Sequence, residues 1–235
     1  MKFKYIFEEE DFKKVYDIIK QQEKSDLVRK RKECNVNGFQ IEVSKEKLWL
    51  DMLRCLLTTQ QKSSKGSPIN KFMVEQCNNV KLEKCLNEIN SIEEYFVELL
   101  KNFGGIRRYN IIAKDLQKNL QQLEQSEWEV LNIFNVSTTL DDERILVDHV
   151  SSFRGFGPKQ SRNLIQMLGF SKYLIPLDSR WIKWIKGNNI FPFEINGFLS
   201  TEGSYRFLED ILNELCNKID AYPCILDAAI FESQD

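Results

Sequence analysis

Lys159 and Asp178 stand 19 residues apart in FRGFGPKQSRNLIQMLGFSKYLIPLDSR, each where a helix is expected to begin. Pro158 has the fixed φ and missing N–H that suit a first helical position, and Leu164, Ile165 and Leu168 follow at helical spacing. Lys159 therefore falls in the first turn, at the positive end of the helix dipole. A cation is disfavoured there by a few tenths of a kcal/mol up to about 1. Either the side chain simply reaches out to solvent, or a neutral amine, which is a nucleophile, is wanted there. Asp178 is placed to N-cap the helix WIKWIK, a role worth about 1 kcal/mol. If the two helix starts face one cleft, its carboxylate can also stabilise developing positive charge. Between them and the preceding helix, Gly155-Phe156-Gly157 make a tight turn whose amides form a concavity suited to one phosphate, with Phe156 packing inward.

The elements that would position these groups are mainly helices. EEEDFKKVYDIIKQ sets Phe12, Val15, Ile18 and Ile19 on one face, and KEKLWLDMLRCLLT does the same with Leu48, Met52, Leu53, Leu56 and Leu57. SIEEYFVELLKNF follows Ser91, a good N-cap residue, and stops at Gly104-Gly105. Further helices are predicted over 107–122, 139–152, 158–168, 178–186, 204–218 and 222–232. Only GFQIEV at 38–43 alternates as a strand does. The pattern predicts an all-α fold with little strand and no linker dividing the chain.

With 235 residues, 42% of them hydrophobic and 29% charged, the chain is an ordinary globular protein long enough for a sizeable core. No stretch approaches 18 apolar residues and no signal-peptide core opens it, so no membrane role is expected. Six cysteines without a C-x-x-C pair are read as reduced, mostly buried thiols of a cytoplasmic protein, with no metal site. In a bacterium that means association with the nucleoid, in a eukaryote the nucleus. The net charge of −2 hides a segregation. Residues 144–190 hold eight Lys/Arg against Asp148 and Asp178, whereas 191–235 hold nine Asp/Glu against Arg206 and Lys218. One reading is a basic face for phosphate with acidic helices behind it; the other is ordinary fluctuation.

The hairpin segment resembles the helix-hairpin-helix DNA glycosylases, in which a "GxGxK" hairpin is followed, at the same spacing, by an aspartate in a "VD" or "LD" context. Three stretches agree in order. CLLTTQQK at 55–62 resembles the segment that offers Gln or Asn to the DNA. FGGIRRYNIIAKDL at 103–116 resembles an "LGYRxxYI" helix start beside the opposite strand. LDAAIFESQD at 226–235 is similar to the "QAVLFSAD" helix of the 8-oxoguanine glycosylases.

The resemblance implies one glycosylase domain over 1–235, made of two helical subdomains with a cleft between them. One would cover about 67–170, including the helix-hairpin-helix at 150–168, and the other about 1–66 plus 171–235. It implies a base-excision repair enzyme acting on double-stranded DNA with a damaged base; the sequence shows no coiled-coil seam or large apolar face that demands an oligomer, so a monomer is expected. Lys159 would attack C1′ of a flipped nucleotide, Asp178 would steady the cationic sugar, and β-elimination would cut the strand. Gly155, Gly157, Gln60, Gln61, Arg107 and Arg180 would bind DNA, and Asp227, Phe231 and Asn163 would line the base pocket. Cys216 and Cys224 are too few for the family's iron–sulfur cluster, so no cofactor is expected beyond a monovalent cation at the hairpin. The absent cluster and the lysine together favour 8-oxoguanine. Departures remain: Asp227 stands where glutamine is usual, Asn163 for a cysteine, Arg180 for a histidine, and Gly105-Ile106 for a Tyr-Arg pair. They keep open an alkylated or otherwise modified base. A non-catalytic DNA-binding protein is the alternative of another class. Lys65 is a further phosphate candidate, His149 is read as structural or solvent-facing, and Trp181 and Trp184 as core.

Overall fold

The computed structural model describes residues 5–38, 42–61, 66–134 and 139–234. Among them are twelve α-helices and no strand. They are α1 (Glu9–Gln21), α2 (Asp26–Arg31), α3 (Lys45–Leu57), α4 (Pro68–Glu75), α5 (Leu82–Asn87) and α6 (Ile92–Phe103). There follow α7 (Tyr109–Gln125), α8 (Leu140–Val150), α9 (Pro158–Leu168), α10 (Ser179–Gly187), α11 (Glu202–Asn217) and α12 (Pro223–Glu232). The all-α expectation holds. The strand expected at 38–43 centres on residues 39–41, outside the described residues, as does Lys65.

The short helices α2, α4 and α5, and a π-helical turn at Lys32–Val36, were not foreseen. At six to eight residues, none of the three helices shows two full turns of apolar period. Ser25 and Ser67 do cap α2 and α4 through their hydroxyls. Ser91, expected to cap α6, occupies the N-cap position without bonding an amide. Its hydroxyl turns back to the Glu88 carbonyl at 3.4 Å, and the Glu93 amide is instead taken by Gln117 Oε1 from α7 at 2.8 Å.

The apolar side chains gather into two cores. The first takes α3, α6, α7, α8 and the apolar face of α9, and ends at Leu174. The second begins at Ile175 and joins α10, α11 and α12 to Val15, Ile18 and Val28 from the N-terminal helices. The chain thus starts in the second core, builds the first, and returns. α9 packs on α3 and α8, and its polar residues Gln160, Ser161, Arg162 and Gln166 are buried with its apolar ones. Nearly enclosed, this helix is the spine between the two cores.

Candidate active site

The hairpin joining α8 to α9 is fixed from below. Phe156 is buried against the first core. Arg154 is bracketed by one side chain, donating its amide to Asn119 Oδ1 (2.7 Å) and receiving Asn119 Nδ2 at its carbonyl (2.9 Å). Gly155 has φ +82°, and a Cβ there would lie 2.4 Å from Leu56 Cδ2 and 3.0 Å from Asp115 Oδ2. No other residue fits without a shift. Gly157 differs: its φ of −78° is ordinary, and a Cβ there would meet nothing within 4 Å. As N-cap of α9 it offers no side chain. Both glycines are exposed.

Lys159 stands in the first turn of α9, half-buried, its Nζ 3.4 Å from Gln160 Oε1. Gln160 is itself held by α3, donating to the Cys55 carbonyl (2.6 Å) and to Thr59 Oγ1 (2.7 Å). Asn163, one turn on from Lys159, points its Nδ2 at Gln160 Oε1 (3.3 Å) and Cys55 Sγ (3.5 Å). Burial pushes the Cys55 thiol up to about 12, so it stays protonated there; the charge of Lys159 works against the rise. Asp178 does cap α10, accepting the amides of Arg180 (2.8 Å) and Trp181 (3.3 Å) at Oδ1. Its Oδ2 takes Arg180 Nη1 at 3.1 Å.

Asp227 ties these groups together. Its Oδ1 accepts Trp181 Nε1 at 2.7 Å. Burial pushes its carboxyl up to about 6; the Trp181 bond and the charges of Arg31 and Lys159 oppose the rise, and Asp178 adds to it. Lys159 from α9 and Asp178 from α10 therefore both act on one carboxyl of α12. Trp181 and Trp184 are core residues, with rings 5.8 Å apart, as expected. Trp181 is also the donor that orients Asp227. Phe231 lies one turn beyond Asp227, with the Arg180 guanidinium 3.9 Å over its ring. Arg180 thus bridges Asp178 and Phe231.

Gln60, Gln61 and Arg107 form a separate rim. Gln60 is left-handed (φ 56°), and its carbonyl takes Arg107 Nη2 at 2.9 Å while its amide oxygen takes Arg108. Gln61 closes the junction, accepting the Arg107 amide (2.6 Å) and donating to the Leu57 (2.8 Å) and Arg107 (3.1 Å) carbonyls. The turn after α3 is thereby locked to the turn before α7. His149 is exposed at the end of α8.

The basic face read from the charge pattern needs correction. Arg162 is fully buried and Arg144 nearly so. Arg162 binds both oxygens of Glu209 (2.7 and 3.2 Å), both of Glu202 (2.9 and 3.1 Å) and the Pro158 carbonyl (3.0 Å). Arg144 reaches Glu209 and Asp210. The segregated charges close on each other across the fold instead of all facing solvent. Glu209 also takes the Ile175 amide (3.0 Å). Tyr205, under the Arg162 guanidinium, accepts the Leu177 amide (2.5 Å) and donates to the Ile175 carbonyl (2.9 Å). One helix, α11, thus holds the first turn of α9 and the extended segment that delivers Asp178. Glu143 steadies the same linker, accepting the amides of Lys172, Tyr173 and Leu174 and the Ser171 hydroxyl. Burial raises its carboxyl to about 7 against those four bonds. Neither acid carries a signal in the sequence: each sits in an ordinary helical run, and only tertiary structure makes it buried.

No protein-family model matches the chain, and no curated protein matches it by sequence. Solved structures do. An 8-oxoguanine DNA glycosylase of Methanocaldococcus jannaschii is similar with TM-score 0.68 over 94% of this chain and 92% of that one. The 8-oxoguanine DNA glycosylase of Thermotoga maritima gives TM-score 0.69 over 96% of both. The fold is that of these glycosylases. A third structure, the M. jannaschii glycosylase/lyase in complex with a 15mer DNA containing 8-oxoguanine, gives TM-score 0.69 over 95% and 96%. Identities are 17%, 18% and 17%. The likeness therefore lies in the path of the chain and leaves side chains to be read in place.

Proposed function

We propose that the protein is a bifunctional DNA glycosylase/lyase that removes an oxidised purine, 8-oxoguanine, from double-stranded DNA. The observation that carries this reading is the pair of helix starts, Lys159 in the first turn of α9 and Asp178 capping α10, with α10 tied to α12 by the Trp181–Asp227 bond (2.7 Å) and by Arg180 over the Phe231 ring. The fold neighbours act on 8-oxoguanine by their own descriptions, and one was captured with DNA containing it. In this reading the target nucleotide is flipped out, because C1′ cannot be reached within the stack. The Lys159 amine attacks C1′ and the base departs with the bonding pair, taking up a proton. Asp178, held by two backbone amides, faces the sugar as positive charge develops. Ring opening gives a Schiff base between Lys159 and C1′. Loss of a C2′ proton then expels the 3′ phosphate. Gly157, which the fold does not require to be glycine, allows a phosphate to approach the amides at the start of α9. A monovalent cation at the hairpin, no iron–sulfur cluster and a monomeric state belong to the same proposal, with Gln60, Gln61 and Arg107 meeting the DNA at the rim.

A second reading, excision of a different modified base, is favoured by Asp227 and Asn163 at pocket positions. One experiment separates the two. Borohydride trapping is run on duplexes carrying 8-oxoguanine, uracil, thymine glycol or an abasic site, with Lys159→Gln as control. A covalent adduct on 8-oxoguanine, lost in the variant, is the expected result. Trapping only on the abasic site keeps the lyase chemistry and moves the substrate to another base. DNA binding with no adduct on any duplex leaves a non-catalytic binding protein.

A further inference from the structure

The interior end of the α9 stripe Lys159–Asn163–Gln166 meets a charge that the fold does not balance. Arg31 of α2 is 7% exposed, yet no carboxylate among the described residues lies within 4 Å of it. Its Nη1 donates to the Gln166 carbonyl at 2.5 Å, while its Nε has no partner. Asn35, 3% exposed, donates to the same carbonyl (3.0 Å) and to that of Ser171 (2.8 Å). Asn35 Oδ1 and Gln166 Oε1 are likewise unpartnered. A buried cation of this kind is costly unless something pairs with it. Arg162 on the same helix shows the contrast, with two glutamates on its guanidinium.

The position of Arg31 says what that partner would be. α2 packs against α12, which carries Asp227, and Gln166 places Arg31 two turns of α9 inward from Lys159. The charge of Arg31 is felt by Asp227 and by Cys55, the two groups on which Lys159 also acts. On the reading of this site as a base pocket, we infer that Arg31 closes its inner end and, with Asp227, reads the six-membered ring of the flipped purine. A guanine-type ring presents N1–H and an N2 amine as donors and O6 as an acceptor. The Asp227 carboxylate accepts from the two donors, and the Arg31 guanidinium donates to O6. An adenine-type ring presents an amine where O6 would be, against Arg31, and a lone pair at N1, against Asp227. Both contacts become repulsive, so the pocket selects the guanine-type edge by mismatch as well as by match.

The test is single-turnover excision from duplexes carrying 8-oxoguanine or 8-oxoadenine, with cleavage of an abasic-site duplex measured beside it. The two bases share the oxidised five-membered ring and differ at the edge in question. The natural protein is expected to favour 8-oxoguanine. Arg31→Met is expected to lower 8-oxoguanine excision roughly 10- to 100-fold relative to abasic-site cleavage, which offers no base to read. Arg31→Lys should recover part of that ratio; if the methionine variant does not fold, Arg31→Lys is read alone against the same ratio. An unchanged ratio in these variants, with 8-oxoguanine still excised, overturns the role of Arg31 and leaves the glycosylase reading intact. Excision of neither base by the natural protein overturns the 8-oxoguanine reading itself, and this inference with it.

Discussion

Helix α9 carries two polar faces of opposite character. On one, Arg162 is enclosed by Glu209, Glu202, the Pro158 carbonyl and the Tyr205 ring, and the charges hold its proton firmly despite burial. On the other, Lys159, Asn163 and Gln166 have long or incomplete hydrogen bonds, and Asp227 beside them accepts one at 2.7 Å, from Trp181. A polar group that serves the fold is saturated by it. A group kept for a ligand leaves capacity unused, because capacity already spent cannot bind. The difference marks the second face of α9 as the one with capacity left for a ligand.

The sharpest way to break this comparison is to exchange the consequences of the two cations. Arg162→Met leaves Glu209 and Glu202 facing an apolar side chain. Removing one partner of a buried ion pair typically costs 3–5 kcal/mol. The Arg162 variant should accordingly melt on the order of 10 °C lower. Lys159→Gln breaks no short hydrogen bond and should melt within about 2 °C of the natural protein while losing borohydride trapping on an abasic site. If Lys159→Gln melts as low as Arg162→Met, the two faces are not distinct and both serve the fold.

The two hairpin glycines repeat the contrast on a smaller scale. Gly155→Ala must accept a left-handed φ and displace Leu56, together roughly 2–4 kcal/mol. Gly157→Ala faces neither difficulty and should leave stability within about 0.5 kcal/mol. Gly157→Ala is expected to weaken duplex binding instead, by keeping phosphate from the α9 amides. Chemical denaturation and a binding titration check the pair. Loss of stability at 157, or none at 155, would remove the distinction.

How far the sequence carried this picture depended on the range of each signal. The α9 start was legible from Pro158 and the apolar spacing, and the α10 start from Asp178, because caps and periods are local. The Arg162–Glu209 pairing was not legible, since it spans 47 residues and each partner looked like a surface charge. Arg162 and Arg144 were therefore counted towards a basic face that they do not join. Arg31 is illegible for the same reason: nothing local distinguishes it among the charges of DLVRKR, and only the packing of α2 shows which of its arginines turns inward. Asp227 and Phe231 were found through a resemblance, whereas the bond from Trp181 that orients Asp227 needed coordinates.

A last test concerns Asp227, and it asks whether the under-satisfied face behaves as one. Its carboxyl titrates at about 6 in the folded protein, against 3.8 for the free side chain. The folded state therefore binds a proton that the unfolded chain has already released between these values. By linkage the contribution to stability is complete below about pH 4 and is lost as pH rises through 6. Two units correspond to roughly 2–3 kcal/mol. The groups that set this are the Trp181 N–H, Arg31, Asp178 and Lys159, so Asp227→Asn, which can still accept from Trp181, should remove that part of the slope between pH 4 and 6. Base excision should run the other way. Only the ionised carboxylate accepts from two donors on a base edge, so excision by the natural protein should rise through about pH 6 relative to abasic-site cleavage. A stability slope without the matching rise in excision would make Asp227 a strained core acid, and move it from the second face of α9 to the first.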